Sequence, residues 1–441
     1  GVPGCGKSLS AKSISANWKL PLYRLDFAAV QGSYVGQTEQ QLRDALMTAE
    51  NVSPCILWID EIEKGLSGAG SKSDGGVSTR MVGQFLFWLQ ECKKQVFVVA
   101  TANDVSMLPS ELLRRGRFDE LFFVDLPTVE ERKEIISMYL KNYMDYNIEE
   151  SMLDSVVCIT EGFTGADLSN LLNEAALLAA RLNKKVITMA ELEEASEKVS
   201  MGPERRSHIV SEKDRKLTAY HESGHAIVAH LLPHANPVHK VTIIPRGYAG
   251  GYTMMLPKEE HDYKTKAQLL ADIRVALGGR IAEALVLGDI STGASGDLQS
   301  VTNTARSMVT RWGMSDTLGP IVFGEQQEQV FLGKNIGHER NYSEEVASKI
   351  DVEIHHIVDE AYRDVEQLLT DNMDFLHNMA KALLEEETID AKAVENLHKY
   401  GTTKAPDETE APTASHMDAV ISMPNATEET KTSSTESDVQ S

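Results

Sequence analysis

The first eight residues constrain this chain more than any other stretch. Gly1-Val2-Pro3-Gly4-Cys5-Gly6-Lys7-Ser8 matches the pattern G-x-x-x-x-G-K-S, whose glycines let backbone N–H groups curl around phosphate oxygens. Lys7 brings a point charge to the outer phosphates and Ser8 offers a hydroxyl to magnesium, so Gly1 to Ser8 form a candidate ATP site. A helix beginning near Lys7 would add its N-terminal dipole. A loop of this kind normally follows a buried strand. No strand precedes Gly1, and the sequence is expected to be a piece of a longer chain.

The rest of residues 1–140 agrees with such a loop. Cys55-Ile56-Leu57-Trp58-Ile59 and Val96-Phe97-Val98-Val99-Ala100 are short apolar runs of the kind that form buried parallel strands, and helical patterns alternate with them. The expected fold class is an α/β P-loop module, a parallel sheet flanked by helices. The first run ends in two carboxylates. Asp60 is placed to hold magnesium and Glu61 to polarise the attacking water. Two exposed acids at a strand end would be the plainer reading, and the P-loop upstream outweighs it. The second run leads to Asn103, whose amide could orient the water or sense the γ-phosphate. Arg114 and Arg117 then offer guanidinium groups suited to charge on a transferring phosphoryl group, including one bound by a neighbouring subunit. On their own, these arginines read better as surface ion-pair partners. Gly65 to Ser78 is rich in Gly and Ser and reads as a loop.

Residues 141–200 have a helical pattern, including Ala166 to Leu182, and suit a small helical lid. A polar stretch, 201–215, reads as a linker. Residues 216–400 are again mostly helical, with one strand-like segment from Val238 to Met255 and one long amphipathic face between Ser343 and Leu369. Residues 401–441 are rich in Ser, Thr, Glu and Pro and read as a disordered acidic tail. The chain carries 43 basic and 66 acidic residues, a net charge of -23, which disfavours nucleic acid as a partner. The four cysteines are scattered, without a CxxC pair, and fit a reducing compartment. No apolar run approaches the ~20 residues needed to span a bilayer.

The second chemical signature is His221-Glu222-Ser223-Gly224-His225, an H-E-x-x-H motif. Its neighbours Leu217, Tyr220, Ile227, Val228 and Leu231 have helical spacing. At about 100° per residue, positions i and i+4 fall about 40° apart, so both imidazoles share one helix face and can bind one metal ion. Glu222 lies beside that face as a candidate general base, and the small Gly224 allows close packing. Catalytic zinc needs a third protein ligand. Two carboxylates compete for that role on sequence alone: Glu283, on a helical pattern, and Asp297, in a Gly-rich turn before another helix.

These segments carry family resemblances. Residues 1–200 resemble an AAA-family ATPase module, with Val98 to Asp119 similar to that family's second region of homology. The resemblance implies a hexameric ring, with Asn103 as sensor and Arg114 and Arg117 as fingers reaching the adjacent subunit's nucleotide. Ser33-Tyr34-Val35-Gly36 resembles the family's pore loop, which would make Tyr34 the residue that grips substrate polypeptide. Residues 160–400 closely resemble the FtsH family of ATP-dependent zinc proteases. The resemblance rests on Gly162 to Leu168, Thr218-Ala219-Tyr220 leading into His221, Val241 to Arg246, Gly251-Tyr252-Thr253 and Ser291 through Leu298. It implies one zinc ion per chain with Asp297 as third ligand beside His221 and His225, and leaves Glu283 behind the site. It makes Val241 to Met255 the strand against which an extended substrate pairs. It also implies a membrane anchor upstream, with both modules on the cytoplasmic side of a bacterial inner membrane or in the stroma or matrix of an organelle. The ATPase half is in addition similar to soluble AAA ATPases of the cyanobacterial and chloroplast type, through Trp58 to Lys64 and Asp119 to Phe123. It has Cys5 where the FtsH family usually has Thr. The function expected is processive, ATP- and magnesium-dependent zinc endoproteolysis of unfolded or membrane proteins by a homo-hexamer. The alternative is an AAA remodeller without coupled proteolysis.

Overall fold

The computed structural model describes residues 1–27, 37–66, 77–114, 116–143, 150–205, 210–247, 249–257, 263–324, 342–405 and 421–422. The expected pore loop, with Tyr34, lies outside the described residues, as does most of the loop read between Gly65 and Ser78. Two compact units are present, Gly1–Leu126 with Met201–Thr413, and Pro127–Ser200 with Ala414–Ser441.

The N-terminal part of the first unit is built on α1 (Lys7–Trp18), β1 (Leu22–Leu25), α2 (Gln37–Asn51), β2 (Cys55–Ile59), α3 (Ile62–Leu66), α4 (Val77–Glu91) and β3 (Val96–Ala100). The strands form a parallel sheet in the order β1-β2-β3. β2 is the central strand, and all five of its residues are buried. That is why it reads as an unbroken apolar run rather than an alternating one. Leu42, Leu46, Met81 and Phe85 close the core over it, in contact with its Leu57 and Ile59. Gly65 is the fourth residue of α3, and Val77 opens α4, so both ends of the loop read from sequence are helical.

The second unit holds α5 (Val129–Tyr143), α6 (Glu150–Cys158), α7 (Gly165–Arg181), the two-residue β4 (Val186–Ile187) and nearly all of α8 (Met189–Met201). The expected helix at Ala166 to Leu182 is α7. It starts on a capping box in which Thr164 accepts from Asp167 N and Asp167 accepts from Thr164 N. Ile136 and Leu140 of α5 pack with Leu168, Leu171 and Leu192. The boundary expected at residue 140 therefore shifts: the first unit ends at Leu126, because the apolar face of α5 is buried among the lid helices.

The C-terminal part of the first unit begins with α9 (Glu212–Leu231), capped by Ser211. The linker read as 201–215 thus gives way to helix at Glu212. β5 (Val238–Thr242) and β6 (Tyr252–Met255) follow, then α10 (Lys266–Leu287), α11 (Ser295–Thr310), α12 (Glu344–Asp371), α13 (Met373–Glu386), β7 (Thr388–Asp390) and α14 (Ala391–Tyr400). The single strand read over Val238 to Met255 is two antiparallel strands, separated by a turn through Pro245 and Gly247, whose φ is +52°. With β7 they form a sheet in the order β6-β5-β7, which leaves β6 at an edge. Beyond α14, Ile421–Ser422 (β8) pairs antiparallel with β4.

α9 lies in the middle of this part, packed by α10 and α13. At the crossing of α9 and α10 the backbones touch. A Cβ on Gly224 would stand 2.3 Å from Gly278 O, and one on Gly278 would stand 2.7 Å from Gly224 O. Only glycine permits an approach this close.

Candidate functional site

The nucleotide cleft lies at the C-terminal ends of the parallel strands. Gly4 and Gly6 have φ of +83° and +90°, left-handed values that let the loop curl back before α1. Gly6 is itself the N-cap of that helix. Lys7 Nζ donates to Gly1 O and Val2 O at 2.9 and 2.6 Å, along the inner side of the loop. Ser8 Oγ donates to Asp60 Oδ1 at 2.8 Å, and Thr101 Oγ1 to the same oxygen at 2.7 Å. The hydroxyl and the carboxylate expected to share magnesium are therefore neighbours. Glu61 sits at φ +50°, an uncommon conformation for a residue with a Cβ, costing about 1–3 kcal/mol. Its N–H donates to Thr101 Oγ1, and its carboxylate accepts from Lys64 Nζ at 2.6 Å and from Asn103 Nδ2 at 3.4 Å. A cleft of about 290 Å³ is lined by Gly4, Gly6, Lys7, Ser8, Asp60, Glu61 and Asn103, with Pro3, Leu9, Thr101 and Ala102 completing it. Gly1, Val2 and Cys5 belong to the loop but not to this lining. Arg114 is exposed, and Arg117 donates to Glu111 O; neither lines the cleft of its own chain.

The second site is assembled around α9. His221 and His225 point the same way, with their Nε2 atoms 3.0 Å apart. Asp297, in the first turn of α11, brings Oδ2 to 3.3 Å from His221 Nε2 and 3.6 Å from His225 Nε2. Among the described residues, these three are the group whose donor atoms converge closely enough to hold one metal ion. Both imidazoles are fixed from behind. His221 Nδ1 donates to Glu283 Oε1, and His225 Nδ1 donates to Val275 O, both at 2.7 Å. Each Nδ1 is thereby protonated and each Nε2 is turned toward the shared point. Glu283 is fully buried and accepts from Ser291 N and Ser291 Oγ. Burial works against its charge, and the bonds from His221 and Ser291 outweigh that, holding its carboxyl below the usual range.

The donor set suits zinc. Two imidazoles and a carboxylate are a common catalytic combination, and donors about 2.0–2.1 Å from a tetrahedral ion stand roughly 3.3 Å from each other. The observed separations bracket that spacing. Gly279 provides a further fit: a Cβ there would stand 2.6 Å from both His221 Cε1 and His225 Nε2. Without metal, burial opposes protonation of His221. Its contacts with Asp297 and Glu283 and the charge of Glu222 prevail and push it up to about 10, while Asp297 is held well below its ordinary range by both histidines.

Glu222 lies beside these donors and against β6. It is 5% exposed, and burial raises its carboxyl pKa against the pull of His225, His221 and Thr253. Thr253 Oγ1 donates to Glu222 Oε2 at 2.8 Å. His355 and His356 are exposed on α12. Thr253, Val275 and Gly279 are site residues that spacing along the chain did not single out. For Gly279 the signal is the pair Gly278-Gly279 inside a strongly helical pattern, and Thr253 lies in the segment Gly251-Tyr252-Thr253 that carries the family resemblance.

A P-loop sheet with an Asp-Glu strand end, followed by a helical body that gathers His221, His225 and Asp297, defines an AAA-type ATPase joined to a zinc peptidase. Residues 1–126 match the ATPase family associated with various cellular activities (AAA), residues 150–194 the AAA+ lid domain, and residues 208–397 peptidase family M41. The ATP-dependent zinc metalloprotease FtsH of Veillonella parvula is 60% identical over 446 residues, covering 100% of this chain and 68% of that protein. FtsH 1 of a Thermoanaerobacter species is 46% identical over 90% of the chain and 65% of its own length. FtsH of Bacillus subtilis is 41% identical over 91% of the chain and 64% of its own. The chain thus spans about two thirds of the length of these relatives, and it belongs to the FtsH family of ATP-dependent zinc metalloproteases. The Veillonella relative aligns across both halves, including the segments that also resemble soluble AAA ATPases.

Proposed function

We propose that this chain hydrolyses ATP in its N-terminal module to feed polypeptides to a zinc centre formed by His221, His225 and Asp297. The observation that carries the reading is the convergence of those three donors beside a buried Glu222. Bound zinc supplies Lewis-acid chemistry, polarising the scissile carbonyl and acidifying water. His221 and His225 present Nε2, held in that tautomer by Glu283 and Val275 O. Glu222, with Oε2 engaged by Thr253, keeps Oε1 to take the proton of the attacking water and return it to the leaving amine. Among the described residues β6 is at an edge of its sheet, where an extended substrate would pair with it.

In the motor, Gly1 to Ser8 would hold the ATP phosphates, with Ser8 and Asp60 as magnesium ligands. Glu61 and Asn103 would orient the attacking water. Arg114 and Arg117, which do not line their own chain's cleft, would act on the nucleotide of a neighbour in a homo-hexamer. The proposed domains are an ATPase core to residue 126, a lid to residue 200, a linker to Ser211, a peptidase domain from Glu212 to residue 400 and a tail over 401–441. Unfolded and membrane polypeptides are the proposed substrates. A membrane location with both modules on the cytoplasmic side would come from an anchor outside these residues. Among the described residues no helix is long and apolar enough to cross a membrane. Metal analysis of the purified protein tests the peptidase half. One zinc per chain, with peptide cleavage lost in Glu222→Gln while zinc is kept, supports it. Cleavage that persists in Glu222→Gln overturns it.

A further inference from the structure

We propose that Thr253 is a positioning residue for the general base, tying Glu222 to the edge strand that receives substrate. The proposal rests on the reading of Glu222 as base and goes one step beyond it. Thr253 is the second residue of β6, paired with Val241 of β5. Its single hydroxyl lies 2.8 Å from Glu222 Oε2 and 3.2 Å from the main-chain carbonyl of the same residue. Both contacts are to one helix position, so Thr253 fixes the side chain and its backbone root together. The carboxylate it meets is 5% exposed. A buried carboxylate needs donors, and the direction of each donor sets where its remaining lone pairs point.

The neighbouring glycine completes the seat. A Cβ on Gly251 would stand 3.1 Å from Glu222 Cγ, 2.7 Å from Thr218 Cγ2 and 2.6 Å from Thr242 O. Gly251 thus leaves the space that the stem of Glu222 occupies, and Thr253 supplies the bond that orients its head. Strand alternation turns Tyr252 and Met254 to the opposite face. Of Thr253 and Met255, which share the other face, Thr253 carries the hydroxyl that reaches Glu222 and so links the position of the strand to the base. Among the described residues β6 is an edge strand, and a peptide pairing with it would firm the backbone from which Thr253 reaches Glu222.

The test compares Thr253→Val, which keeps shape and removes the hydroxyl, with Thr253→Ser, which keeps the hydroxyl. Each is assayed on a short fluorogenic peptide and for zinc content, beside Glu222→Gln. In Thr253→Val, kcat is expected to fall about tenfold or more, the scale of a lost bond to a charged group. KM should stay within about twofold and zinc at the wild-type level, and Thr253→Ser should recover most of kcat. A Thr253→Val enzyme with wild-type kcat, beside an inactive Glu222→Gln, overturns the proposal alone. So does a Thr253→Val enzyme that loses zinc, or a Ser variant as impaired as the Val variant, since either makes the role one of packing. Undiminished cleavage in Glu222→Gln overturns the reading of the base, and this proposal with it.

Discussion

Gly279 of α10 lies directly against His225 of α9: a Cβ on the glycine would stand 2.6 Å from the histidine's Nε2, the atom turned toward the metal point. Gly279→Ala is therefore expected to displace both imidazoles and abolish zinc binding and cleavage. Alanine favours helix over glycine by about 1 kcal/mol, so weaker helix formation cannot account for the loss. Metal analysis and far-ultraviolet circular dichroism check this together, with zinc lost and helix content unchanged.

The two carboxylates near the histidines should separate cleanly. Asp297 approaches both Nε2 atoms, whereas Glu283 reaches only Nδ1 of His221. Glu283→Gln keeps a carbonyl oxygen for that bond and should weaken zinc by roughly 10- to 100-fold, the usual effect of a group behind a ligand. Asp297→Asn should weaken it further. Competition against a zinc chelator gives both values, and equal losses would contradict the assignment.

How much of this was legible in the sequence varies with distance along the chain. His221 and His225 could be paired because helix geometry alone places i and i+4 on one face. The P-loop and Asp60-Glu61 were equally local. Choosing between Glu283 and Asp297 was not possible from spacing, because a tertiary contact between α9, α10 and the start of α11 decides it. Glu283 is fully buried behind His221, since the Gly224–Gly278 contact draws α10 onto α9, a packing that helical spacing does not show. The hairpin of β5 and β6 was read as one strand because the turn at Gly247 interrupts an otherwise continuous β-like composition. A border at residue 140 would cut α5 (Val129–Tyr143), whose buried face belongs with the lid helices, and the contact of Ile136 and Leu140 with Leu168 and Leu171 is not visible in a helical pattern alone.

Zinc binding should release protons. In the metal-free protein His221 holds its proton up to about pH 10, against 6.5 for an unperturbed imidazole. A raised folded-state value means that the proton stabilises the metal-free fold. That contribution is complete below pH 6.5 and is lost as pH rises through about 10. At pH 7.5 zinc must displace this proton, so its apparent affinity rises with pH across the window. Calorimetric titration in two buffers of different ionisation enthalpy should show about one proton released per zinc, and none in a fully formed His221→Gln protein.

A second pair of histidines sets a limit on the acid side. His230 Nε2 lies 3.1 Å from His398 Nδ1, and His398 stacks on Phe375. Burial, and then the charge of His398, lower the pKa of His230, with Lys399 adding to this and Glu395 opposing it. A depressed value means that the unfolded chain takes up a proton which the folded chain resists. Stability should therefore fall as pH drops below 6.5 toward the folded value. Melting temperatures between pH 7 and 5 should fall more for the wild type than for His230→Gln.

One chain that joins both modules should couple ATP hydrolysis to zinc-dependent proteolysis. The decisive measurement is the rate at which an unfolded protein is degraded with and without ATP, in the wild type and in Glu61→Gln. Degradation should require ATP and fall by about 100-fold or more in Glu61→Gln, the scale of a lost catalytic carboxylate, while a short peptide is still cut by both. Degradation of the unfolded protein at the same rate without ATP, or undiminished in Glu61→Gln, would contradict that coupling.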